Sequence, residues 1–364
     1  MNAPATLESP VAAPRPGAGF AAPCADDGAA LVDTPAPSAP ARAAAASPAT
    51  VGVGTYPELI WFGNRLVPWA SATVHVMTHA LHYGSSVFEG MRCYDTPRGP
   101  ALFRAREHLR RLADSARVYR MTLPLDLDGL LGACRAVVRE NGLTNAYLRP
   151  LAWRGAGALS VSARNHPVEL MIAALPWGPY LGDGALEAGV DVGVSSWAKP
   201  APNTIPTGAK AGGNYLSGQL VAMEAEQLGY AEGIALDTSG TVSEGSGENV
   251  FLVRDGVIVT PPSASSILSG ITRDTILTLA RERGIPVREE RVPREALYAA
   301  DEIFFTGTAA EVTPVRSVDG VVLGDGRRGP VTAALQRAFF AHVRGETPDR
   351  HGWLTYVHDE EVAA

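Results

Sequence analysis

From Glu58 onward the chain alternates short β-prone runs with amphipathic helices, but never at the spacing that repeated βαβ units require. That irregularity excludes a doubly wound parallel sheet and predicts an α+β fold. The folded part opens on a hairpin signature, Glu58-Leu-Ile-Trp-Phe62 and Arg65-Leu-Val-Pro68 around Gly63-Asn64. Leu109, Leu112, Ala116 and Tyr119 recur at three- and four-residue steps and predict a helix over 104–119. Its arginines at 106, 110, 111 and 117 are expected to be solvated. Further helices are predicted at 127–141, 215–228, 272–283 and 331–343. Strands are predicted at 146–150, 168–175, 190–195, 233–237, 249–253, 257–260 and 302–306.

Pro176-Trp-Gly-Pro-Tyr-Leu-Gly182 is stiff and turn-rich. It places a connector at 177–186, between a small domain at 56–176 and a larger one at 187–356. Residues 1–52 are rich in Ala and Pro and poor in large apolar side chains, so a disordered tail is expected there. A net charge of −7 argues against nucleic acid or an anionic membrane as the main partner. Cys24, Cys93 and Cys134 share no metal-ligand spacing, and Cys134 reads as a small buried hydrophobe. No apolar run approaches the ~18 residues of a membrane span. The Met1 end lacks the pattern of a secretory signal, and a cytoplasmic protein is expected.

Basic residues are almost all arginine; lysine occurs only at Lys199 and Lys210. Arginine stays charged, whereas a desolvated lysine can lose its proton and act as a nucleophile or Schiff-base former. Lys210 lies among small residues in Gly208-Ala-Lys-Ala-Gly-Gly213, which leaves room for a flat group against the backbone. Lys199, beside Pro200, reads as an ordinary loop cation. His75, His79 and His82 would share one face of a helix; with no completing ligand nearby, hydrogen-bonded histidines are expected and no metal. Three turns are built to hold something: Ser243-Glu-Gly-Ser-Gly-Glu-Asn249, Leu268-Ser-Gly-Ile-Thr-Arg-Asp274 at a helix start, and Thr306-Gly-Thr-Ala-Ala-Glu311. A lysine, a glycine-cradled acid and two anion-binding turns together suit pyridoxal 5′-phosphate: an amine for the aldehyde, a carboxylate for the ring nitrogen, and donors for the phosphate.

The motifs His79-Ala-Leu-His-Tyr-Gly-Ser-Ser-Val-Phe-Glu-Gly90, Tyr147-Leu-Arg-Pro150, Ala209-Lys-Ala-Gly-Gly-Asn-Tyr215, Ser243 to Asn249, Gly270-Ile-Thr-Arg-Asp274 and Gly307-Thr-Ala-Ala-Glu311 occur in one order. Together they resemble the bacterial branched-chain amino acid aminotransferases, fold-type IV enzymes that use pyridoxal 5′-phosphate. The resemblance covers about residues 57–354. It implies a small α/β domain followed by a larger, β-barrel-like cofactor-binding domain. The implied reaction is reversible transamination of L-leucine, isoleucine or valine with 2-oxoglutarate. It further implies that Lys210 forms the Schiff base and shuttles protons, Glu244 pairs with the ring nitrogen, and Tyr215 bonds the ring hydroxyl oxygen. Arg111, Gly270, Ile271, Thr272 and Thr308 would hold the phosphate. Thr308 and Ala309 would take the substrate carboxylate, and Tyr83, Phe88, Tyr147, Trp177 and Tyr180 would wall the side-chain pocket. Arg92 is placed with the substrate residues, and Arg149 would meet the distal carboxylate of glutamate. Shared active sites imply a homo-oligomer of at least two chains, with a hexamer as the larger form. The loop at 155–164 departs from the family pattern, which leaves side-chain preference open. The alternatives are another fold-type IV activity, D-amino acid aminotransferase or aminodeoxychorismate lyase, and a cofactor-binding protein without turnover.

Overall fold

The structure is a computed structural model that describes residues 56–177 and 184–358. The expected tail and part of the expected connector, Tyr180 included, lie outside the described residues. Two sheets organise the rest, as an α+β, two-domain fold requires.

The first sheet runs in the order Leu354–Tyr356, Ala101–Phe103, Met91–Tyr94, Ala146–Arg154, Val168–Pro176, Leu59–Phe62 and Arg65–Pro68, and Ser86–Phe88 also pairs with Ala146–Arg154. Its opening hairpin forms as predicted. Gly63 and Asn64 both have positive φ (59° and 62°), the backbone a two-residue hairpin loop needs, and Phe62 pairs with Arg65. One face is covered by helices Ala105–Val118 and Leu127–Glu140, where Leu109, Leu112, Leu130 and Leu131 pack on Met91, Leu148 and Leu170. Each such side chain stabilises the fold by ~1.5–3 kcal/mol relative to exposure. Cys134 is buried in this layer, as the sequence predicts. Leu354–Tyr356 closes the edge of this first sheet, although it lies at the end of the stretch assigned to the second domain.

The second sheet runs Val242–Gly245, Glu232–Leu236, Val190–Ala198, Glu311–Val318, Glu302–Gly307, Asn249–Arg254, Val257–Thr260 and Val287–Glu289, with Val321–Val322 on the side. Alternation along its strands serves two cores. Phe251 and Phe304 face helices Ile271–Glu282 and Pro330–Val343, whereas Val250, Leu252 and Phe305 face Leu297 and Val315. The strand Glu311–Val318 does not show in the sequence pattern, because burial on both faces removes its alternation.

Candidate active site

The backbone of Lys210 is pinned from two sides. Its N–H donates to Ser115 Oγ (3.0 Å) on helix Ala105–Val118, and its carbonyl accepts from Phe88 N (3.0 Å) at the end of Ser86–Phe88. The side chain enters a cavity also lined by Arg111, Tyr215, Glu244, Gly270, Ile271, Thr272 and Thr308. There Nζ donates to Tyr215 Oη (2.5 Å) and lies 4.8 Å from the centre of the Phe88 ring. Burial, with the Arg111 guanidinium second, pushes the Lys210 amine down to about 8. Burial and the Glu244 carboxylate push the Tyr215 hydroxyl upward, so it keeps its proton.

One end of the cavity is an anion site. Helix Ile271–Glu282 starts at Gly270 with no side-chain cap, so its first N–H groups have no intrahelical partner. Gly270 is required by close approach: a Cβ there would overlap Asn249 Oδ1. Arg111 reaches the same place, donating to Ser269 O (3.0 Å). The expectation of a solvated arginine fails for Arg111, because Glu89 is completely buried beneath it. Glu89 accepts from Arg111 Nε (2.6 Å) and Nη2 (2.8 Å) and sits 2.7 Å from His108 Nδ1. Burial raises the proton affinity of Glu89, but Arg111 and His108 outweigh it and hold the carboxyl well below the usual carboxylate range. Arg104 ties the two helices together, donating from Nη1 to Ile271 O (3.2 Å), Asp274 Oδ2 (2.7 Å) and Thr275 Oγ1 (3.0 Å).

At the opposite end lies Glu244, on Val242–Gly245. Its Oε1 is 2.8 Å from Lys199 Nζ, while Oε2 accepts from Leu268 N (2.9 Å) and Asn249 Nδ2 (3.1 Å). Lys199 is therefore not a solvated loop cation: it is 8% exposed. Its N–H donates to Leu236 O (2.8 Å), extending the pairing of Val190–Ala198 by one residue, and the side chain lines the cavity.

An aromatic wall adjoins Lys210. Phe88 and Tyr215 meet edge to face at 4.9 Å, and Tyr147 stacks on Trp177 at 4.5 Å. Arg149 lies between them, 4.8 Å over the Phe88 ring, with Nη2 donating to Tyr147 Oη (3.2 Å) and a buried Nε that has no partner. A Cβ at Gly90 would overlap the Tyr147 hydroxyl, so only glycine admits this wall.

Two expected residues lie elsewhere. Arg92 pairs with Glu311 (2.8 Å) and is absent from the lining around Lys210. Tyr83 is 45% exposed and borders a separate depression with His79, Tyr119 and Ile205. The three histidines do not share a helical face, because the helix His79–Tyr83 starts after His75. His79 is hydrogen-bonded instead, to Ser85 Oγ (2.7 Å) and Ser160 O (2.8 Å), and no cluster able to hold a metal occurs among the described residues. Glu89 and Arg104 escape the sequence reading. The signal for Glu89 was an acid inside the apolar run Val87-Phe-Glu-Gly-Met91.

An amine, a carboxylate, a tyrosine, an uncapped helix start backed by arginine, and a buried Thr306 hydroxyl without a partner all line one cavity. That donor set fits pyridoxal 5′-phosphate.

Comparison with known proteins agrees. Residues 86–318 match the family model of amino-transferase class IV. The chain is 58% identical over 301 residues to the branched-chain-amino-acid aminotransferase of Escherichia coli K12, covering 82% of this chain and 97% of that protein. A crystal structure of the E. coli branched-chain amino acid aminotransferase superposes with a TM-score of 0.82 at 58% identity, over 83% of this chain and 99% of that one. The T.th. branched-chain amino acid aminotransferase with pyridoxamine 5′-phosphate gives a TM-score of 0.80 at 48% identity, over 83% and 99%.

Proposed function

The chain belongs to the class IV amino-transferase family, and on that premise we propose that it is a branched-chain amino acid aminotransferase. It passes the amino group of L-leucine, L-isoleucine or L-valine to 2-oxoglutarate, reversibly, with pyridoxal 5′-phosphate. The observation that carries this reading is the meeting of Lys210, Glu244 and the Arg111-backed helix start in one cavity. When bound, the cofactor supplies a ring that takes up the electron pair left at the substrate Cα.

The residues divide that work. Lys210 holds the cofactor aldehyde and, once displaced, moves a proton at the substrate Cα; an amine brought down to about 8 can both accept and return it near neutral pH. Glu244 faces the ring nitrogen and Tyr215 the ring hydroxyl oxygen. Arg111, Thr308 and the N–H groups of Ile271 and Thr272 take the phosphate. The turn at Thr308 and Ala309 takes the α-carboxylate; Arg92, neutralised by Glu311, supports that turn from behind. Phe88, Tyr147, Trp177 and Tyr180 exclude water from an aliphatic side chain, and Arg149 receives the distal carboxylate of glutamate.

Tyr83 serves a second copy of the chain. Its exposure, with that of Leu81, Leu159, Val161, Ile205 and Leu216, supports an apolar interface and at least a dimer. No helix among the described residues is long and apolar enough to cross a membrane, and we place the reaction in the cytoplasm. The test is Lys210→Ala. It should lose both leucine:2-oxoglutarate turnover and the absorption band of lysine-bound cofactor; retained turnover refutes the assignment.

A further inference from the structure

Three carboxyls crowd the end of the cavity that holds Glu244. Glu232 and Glu248 are both buried. Glu232 accepts from Gly233 N (2.7 Å) and Ser246 Oγ (3.0 Å), and Glu248 from Gly247 N (3.0 Å). Burial and the neighbouring Glu232 push Glu248 well above the usual carboxylate range, so this pair retains a proton. Glu244 has a different environment. Its three partners, the Lys199 ammonium, the Leu268 N–H and the Asn249 amide, can only donate, so Glu244 is an acceptor-only carboxylate. Among them only Lys199 carries a charge. Its Nζ meets no other acid among the described residues, and its stem is buried at the cavity wall.

We propose that Lys199 is a positioning residue for the cofactor: it supplies Glu244 with a counter-charge inside the cavity, so that the carboxylate is ionised and held in place before the ring nitrogen arrives. Removing a counter-ion from a buried carboxylate is costly, and the carboxylate recovers that cost only from a ligand that brings its own cation. Lys199 thus sets how far cofactor binding depends on the ring nitrogen. The inference rests on the cofactor assignment made above.

The test compares retention of pyridoxal 5′-phosphate with that of its analogue in which CH replaces the ring nitrogen, in the full chain and in Lys199→Met and Lys199→Arg. Apparent Kd is read from the absorption of lysine-bound cofactor. In the parent chain Lys199 neutralises Glu244 with either ligand. In Lys199→Met only the natural cofactor offers a positive ring N–H, so the preference for it over the analogue should widen by about tenfold or more. Lys199→Arg should return the preference to the parent value. A role confined to packing would weaken both ligands alike, and an unchanged preference in Lys199→Met overturns the proposal. Failure of the parent chain to bind pyridoxal 5′-phosphate at all would instead overturn the cofactor assignment, and this proposal with it. If Lys199→Met does not fold, the Lys199→Met/Glu244→Gln double variant removes both charges together. It should melt above Glu244→Gln alone, and a lower melting temperature refutes the pairing.

Discussion

Arg149 is the residue through which one pocket could serve two unlike substrates, and truncating it to alanine separates them. The guanidinium makes no ion pair among the described residues; it rests 4.8 Å over Phe88 and 5.3 Å over Tyr147, with Nε buried and unpartnered. A carboxylate arriving there gains a largely desolvated charge pair, and losing one partner of such a pair costs ~2–5 kcal/mol. At about 1.4 kcal/mol per tenfold, the glutamate half-reaction should fall roughly thirtyfold to several thousandfold in kcat/KM. Leucine brings no second charge. Arg149→Ala then removes only the cation over two rings, about 0.5–1 kcal/mol, so its half-reaction should fall by less than about tenfold. Single-turnover stopped-flow with each amino acid, following the cofactor absorption, measures both. Equal losses, or a larger loss with leucine, would refute the idea that Arg149 reads the distal carboxylate and would make it a structural residue.

Two further outcomes follow from the charged groups of the site. In cofactor-free protein, reductive methylation of Lys210 should rise with pH through a midpoint near 8, since the amine reacts only when deprotonated; peptide mass spectrometry distinguishes it from Lys199, the chain's other lysine, and a midpoint above 10 would contradict the burial argument. Glu89→Ala should destabilise the protein by ~3–5 kcal/mol, because it leaves Arg111 without its buried partner. The pH sign is fixed by the lowered affinity of Glu89 for protons: its contribution is full above the unfolded carboxyl value of about 4.3 and disappears as pH falls through the lower folded value. Urea titrations of the parent and Glu89→Gln should therefore converge on the acid side, and a gap that widens there would contradict the ion pair.

The sequence carried local information well and non-local information poorly. The Gly63-Asn64 hairpin was legible because two residues at positive φ specify the turn and its register. Helix Ile271–Glu282 was legible from a glycine at its start and an apolar stripe along it. Arg111 was not legible from periodicity. Its position on the helix face says solvent, and only the strand that brings Glu89 under it, 22 residues away, reverses that. Lys199 failed in the same way. Beside a proline it reads as loop, and its partner Glu244 comes from another strand of the sheet. The family resemblance supplied Arg111 and Glu244 but was silent on the residues behind them. Those are the ones that hydrogen bonds across the fold reveal.

The placement of Leu354–Tyr356 also bears on biogenesis. This strand pairs with Ala101–Phe103, and Trp353 O accepts from the N–H of Arg104, the residue that joins the Arg111 helix to the uncapped helix start. A ribosome-bound chain that has already made Lys210, Glu244 and Gly270 still lacks the segment that fixes Arg104. The phosphate end of the cavity is thus assembled only after translation has passed Tyr356. Cofactor capture then marks a full-length product, and chains truncated just short of this strand are left as loosely closed, cofactor-poor substrates for proteolysis.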